Sequence, residues 1–93
     1  SFQGGYIPFA ATRSDRVASG DPRLSLEERY GTQDGYVCTV RRAAETLVRD
    51  RYLLREDADR LIVEAEASGI LPGGANATPA ARQIAAALCA ATR

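Results

Sequence analysis

The stretch TQDGYVCTVRRAAETLVRDRYLLREDADRLIVEAEASG, residues 32–69, decides the fold. Its apolar positions Tyr36/Val37, Val40, Ala43/Ala44 and Leu47/Val48 recur in steps of three and four. That period predicts a helix over about 33–52 with one buried face. Thr32 stands where an N-cap belongs, and its hydroxyl can accept from the first turn. A second helix is expected over 55–68. Glu56 and Asp57 suit its positive N-terminal end, and Gly69 is a natural stop. Its buried positions should be Ala58, Leu61, Ile62 and Ala65. Tyr52-Leu53-Leu54 forms a tight apolar corner between the two. A link this short makes an antiparallel hairpin. On the exposed side of the first helix, Arg41–Glu45 and Glu45–Arg49 are spaced i, i+4. The first helix is rich in Arg and the second in acid, which favours their pairing by a small amount.

Upstream, Ser25-Leu26-Glu27-Glu28 has the spacing of a capping box, and the short helix it opens should end at Gly31. Asp21-Pro22-Arg23 is a turn, because Pro fixes φ and cannot continue a helix. One more helical turn is expected at 14–19, capped by Ser14 and closed by Gly20. Residues 1–11 are irregular: Gly4 and Gly5 loosen the backbone and Pro8 pushes Ile7 towards extended geometry. Phe2, Tyr6, Ile7 and Phe9 crowd this short segment, more apolar area than a free tail exposes. It reads as an extended arm lying in a groove of something else. Downstream, ILPGGANA at 70–77 is a loop, and Thr78-Pro79 opens a last helix that runs to about Thr92. That helix is mostly Ala, with Ile84, Leu88 and Cys89 as its sizeable apolar side chains.

Composition limits what these elements can do. The chain has 93 residues, room for one small domain. Hydrophobic residues make up 45%, but much of that share is Ala, which buries little area. Twelve basic residues balance twelve acidic ones, so the basic excess of a nucleic-acid partner is missing. Every basic residue is Arg, which suits bidentate interface pairs and the GC-rich coding of a bacterium. No apolar run reaches membrane-spanning length, and the neutral first residues lack a signal peptide's apolar core. The start SFQGGYIPF, without Met, reads as the interior of a longer chain or a processed end. Cys38 and Cys89 fit no metal-ligand spacing. Their usual role is that of small buried hydrophobes. A disulfide joining two helices is the alternative, with a geometry that sequence does not supply.

Chemistry is scarce. Histidine is absent, which removes Ser-His-Asp and Cys-His catalysis within this chain and most catalytic zinc sites. Lysine is absent too, excluding Schiff-base chemistry and the P-loop signature. Glu27 and Glu28 fit helix capping better than acid–base work. Asp57, Asp59, Glu64 and Glu66 belong to a solvated face. No catalytic, cofactor-binding or metal-ligating residue is therefore assigned, and no cofactor is expected.

The run from Gly4 to Leu71 resembles the C-terminal segment of a bacterial α/β-hydrolase-domain family of esterase/lipase-like proteins. The resemblance rests on the ordered succession of Gly5-Tyr6-Ile7-Pro8-Phe9, Gly20-Asp21-Pro22-Arg23, Ser25-Leu26-Glu27-Glu28-Arg29-Tyr30, and Arg51-Tyr52-Leu53-Leu54 followed by Glu56-Asp57. Residues from Pro72 onward fall outside it. It implies a helical element packed on a hydrolase core whose nucleophile, acid and histidine lie upstream. With no GxSxG and no His here, no family catalytic residue maps onto this chain.

The expectation is thus an all-α segment: an apolar arm at 1–11, a helical hydrolase-tail-like region at 12–71 built on a long hairpin, and a loop with an Ala-rich helix at 72–93. It should pack on a separate α/β-hydrolase core, its partner, with neither nucleic acid nor membrane involved. Tyr6, Ile7 and Phe9 are the candidate core-contact or substrate-entrance residues. The alternative is a free-standing helical module that binds another protein through the Tyr36–Val48 stripe.

Overall fold

Capping chemistry sets most of the helix boundaries in the computed structural model, which describes residues 8–91. Helix α1 spans Arg13–Ser19, and Thr12 rather than Ser14 caps it, its side chain accepting from the Asp15 N–H. The helix starts one residue earlier than expected, so Ser14 lies inside the first turn. Gly20 closes α1 in the left-handed conformation, at φ +74°. Helix α2, Leu26–Tyr30, carries the full capping box. The Glu28 N–H donates to Ser25 Oγ at 3.2 Å, and the Ser25 N–H donates to Glu28 Oε1 at 2.9 Å. The next two amides of α2 are satisfied from further back: Leu26 N–H donates to the Ala10 carbonyl and Glu27 N–H to that of Ala11. Those bonds tie the end of the N-terminal arm to α2.

Helix α3 spans Gln33–Arg49, capped by Thr32 as expected. It stops three residues short of the expected end. Arg51 adopts φ +67°, and the Tyr52 N–H donates back to the Leu47 carbonyl at 2.8 Å. This is a left-handed helix stop without the usual glycine. Helix α4 spans Arg55–Ser68, and Gly69 ends it at φ +56°. A short 3-10 turn at Gly74–Asn76 interrupts the following loop, and α5 spans Pro79–Ala90 with Thr78 as its cap. No strand occurs among the described residues, so the architecture there is all-α.

The α3–α4 hairpin forms, and its core is small. Ala44, Ala58 and Ile62 are buried, with Val48 and Leu53 packed against them. Leu61 is 42% exposed and Leu47 41% exposed, which corrects their assignment to the buried face. The helices meet at Ala44, Ala58 and Ile62, with Ala65 buried further along α4. That close seam turns the larger side chains flanking it outward. The charges also pair differently from the i, i+4 expectation. Arg41 bonds Glu66 across the hairpin, Glu45 takes both ends of the Arg55 guanidinium, and Arg49 pairs with its neighbour Asp50.

Helix α5 lies on the opposite side of α3 from α4, covering α2 as well. The approach is between small residues. A Cβ on Gly31 would collide with the Ala81 carbonyl, and one on Gly35 would come within 3.0 Å of Ala85 Cα and clash with the Tyr30 carbonyl. One turn further along, Cys38 and Cys89 are joined in a disulfide with their Cα atoms 5.1 Å apart. The two cysteines are therefore a cross-link between α3 and α5, not independent packing residues.

Candidate docking surface

The arm's attachment is built from charge. Arg23 grips Asp21 through a fork, Nε to Oδ1 at 3.0 Å and Nη2 to Oδ2 at 2.8 Å, and its Nη2 also donates to the Pro8 carbonyl at 3.3 Å. Arg29 donates from Nε to the Leu24 carbonyl. The two guanidinium groups then face the ring of Phe9, with Arg29 Cζ 4.0 Å and Arg23 Cζ 4.7 Å from its centroid. Cation–π attraction holds the ring there. Phe9 remains 39% exposed. Tyr6 and Ile7, the other candidate entrance residues, lie outside the described residues.

The carboxylates beneath this platform are occupied. Side-chain hydrogen bonds from Arg23, reinforced by its backbone N–H, bring the Asp21 carboxyl down to about 2. Bonds from Arg16 at 2.6 and 3.0 Å, followed by the Ser25 N–H, bring Glu28 down to about 2. Both groups are ionised at neutral pH and spent on structure, so neither can lend a proton to a substrate.

A second surface lies between α3 and α4, where the alanine seam leaves an open apolar groove of about 450 Å³. Tyr36, Val40, Ala43 and Leu47 line it from α3, and Leu61, Glu64, Ala65 and Ser68 from α4. Tyr36 is braced edge-to-face against Tyr30, their ring centroids 5.2 Å apart. At the hairpin's tip, Tyr52 and Leu54 are largely exposed beside Val48 and Leu53. Sequence periodicity alone places Leu47 and Leu61 inside. The signal that could have found the groove is the facing of Ala44 by Ala58, since two small residues at a crossing bring the backbones together and leave larger neighbours outside.

Among the described residues no group of three His, Cys, Asp or Glu side chains could hold a metal ion. No helix there is long and apolar enough to cross a membrane. What the surface offers is apolar area: Phe9, Leu24, Leu47, Tyr52, Leu54, Leu61 and Val63 all stand exposed, while the buried core is dominated by alanine. The family model of the alpha/beta hydrolase domain matches residues 1–63. No curated protein and no solved structure matches the chain.

Proposed function

The chain belongs to the alpha/beta hydrolase domain family, and from that premise we propose that it is the C-terminal helical portion, or a small helical subunit, of a carboxylic-ester hydrolase. Its catalytic residues lie on a strand-bearing core that this chain covers. One observation carries the reading. A hydrolase of this fold works from a nucleophile at the end of a strand, and the described residues contain helices and no strand while leaving several large apolar side chains, Phe9, Leu47, Tyr52, Leu54 and Leu61 among them, exposed. Such a surface is what remains when a helical layer is viewed without the layer it packs on.

In this reading the α3–α4 groove and the hairpin tip contact the core. Phe9, held on its two arginines, extends that contact with Tyr6 and Ile7 towards the substrate entrance. The role is structural, and the division into arm, hairpin region and terminal helix follows it. The arm reaches the core, the hairpin covers it, and α5 braces the hairpin from behind.

The test is ester hydrolysis. The full-length protein should hydrolyse p-nitrophenyl esters of short acids, and the isolated 93-residue chain should not. The gene upstream of Ser1, or a neighbouring reading frame, should encode a strand–GxSxG–helix segment and a later His. Hydrolysis by the isolated chain would overturn the reading. A cooperative 10.0 kDa monomer with no such segment in its gene would favour the free-standing module, whose partner would occupy the same groove.

A further inference from the structure

We propose that the Cys38–Cys89 disulfide is a redox-operated latch, and that α5 is the element it releases. The first ground is how little else holds α5. Its fully buried side chains are Ala81 and Ala85, seated on Gly31 and Gly35, and its larger apolar ones, Ile84 and Leu88, are only half-buried. Contacts between alanine and glycine remove little apolar area from water. A 12-residue helix is marginal on its own. The cross-link closes a span of 51 residues from α3 to α5, a loop length at which a disulfide's constraint is substantial.

The second ground is access. Both cysteines are half-buried rather than sealed in a core. A cleft of about 230 Å³, lined in part by Thr32, Asp34, Arg82 and Cys89, opens beside the bond. Its charged lining is one carboxylate and one guanidinium, so an approaching thiolate meets no excess of negative charge. The third ground is placement. Cys38 falls within the family-matched residues 1–63 and Cys89 outside them, so the bond fastens an element from beyond the matched region onto it. The α3–α4 hairpin holds itself together separately through Ala44, Ala58, Ile62 and the Glu45–Arg55 fork.

The step is thiol–disulfide exchange with a dithiol. One thiolate of the dithiol attacks Cys89 Sγ from the cleft, forming a mixed disulfide and expelling Cys38 as a thiolate. The second thiol then displaces Cys89. The dithiol leaves as a disulfide, two electrons pass to the protein, and two protons complete the Cys38 and Cys89 thiols. Released α5 uncovers the small-residue cradle at Gly31 and Gly35.

Amide hydrogen exchange on the full-length protein, with and without dithiothreitol, tests this. Reduction should speed exchange of the amides from Arg82 to Ala90 by roughly 30- to 1000-fold, the range a native cross-link of this kind controls. Amides of α3 and α4 should change by no more than a fewfold. The paired variant Cys38→Ser/Cys89→Ser, without reductant, should reproduce the reduced pattern. Unchanged α5 protection on reduction would overturn the proposal. So would α3, α4 and α5 losing protection together, because the bond would then be a staple for the whole chain. The latch does not rest on the core-docking reading, and either can fail alone.

Discussion

At the scale of single residues, two kinds of position separate what the sequence reveals from what it conceals. Ser25 and Glu28 are legible because a capping box is local: three residues apart, each satisfies the other's amide. Ser25 is also fully buried, so its loss has a definite cost. Ser25→Ala should lower stability by about 1 kcal/mol, measured by urea unfolding. Asp21 and Glu28 add a pH dependence. Their arginine partners lower both carboxyls to about 2 from 3.8 and 4.5. A carboxylate depressed in the folded state stabilises it at pH values above its unfolded value and loses that contribution as pH falls through the folded one. The α1–α2 junction should therefore loosen between about pH 4.5 and pH 2, and Glu28→Gln should flatten its share of that slope in an NMR titration. Arg51 is of the concealed kind. Nothing in an arginine announces a left-handed backbone, yet its φ of +67° ends α3. Arg51→Gly should raise stability by about 1 kcal/mol, since glycine adopts that conformation without the steric cost.

Among the elements, the hairpin was readable from apolar period and from Gly69, but its rotation was not. Period identifies a face about 100° wide, and the seam within that face depends on which residues let the backbones approach. Ala44 and Ala58 decide it, and Leu47 and Leu61 are left outside as a result. The place of α5 was beyond local reading for a related reason. Gly31 ends α2, as the sequence predicts, and together with Gly35 it is also the floor on which Ala81 and Ala85 sit, which the sequence does not announce. Gly35→Ala should cost about 1–3 kcal/mol, because the added Cβ overlaps the Tyr30 carbonyl and presses on Ala85. Thermal unfolding would check it, and an unchanged melting temperature would contradict the packing described. The Cys38–Cys89 link lies at the far end of this seam and joins residues 51 apart, a separation at which sequence offers candidates and no geometry.

The whole molecule has the character of a layer. Alanine makes up most of the buried core, with Ile62 and Leu71, while Phe9, Leu47, Tyr52, Leu54, Leu61 and Val63 stand exposed. That inversion agrees with the family match over residues 1–63 and with the ester-hydrolase role proposed from it. It also makes the outer leucines separable from the chain's own stability, because they contribute little to its interior. The most direct measurement is the maleimide labelling rate of single cysteine substitutions in the native full-length protein. Leu47→Cys and Leu61→Cys place thiols in the groove, 41% and 42% exposed at those positions in the chain by itself. Val63→Cys places one on the charged face of the α3–α4 hairpin away from the groove, 60% exposed and bordered by Arg41, Glu45 and Glu66. If a hydrolase core covers the groove, the first two should label at least tenfold more slowly than the third. Equal, fast labelling at all three positions would contradict it.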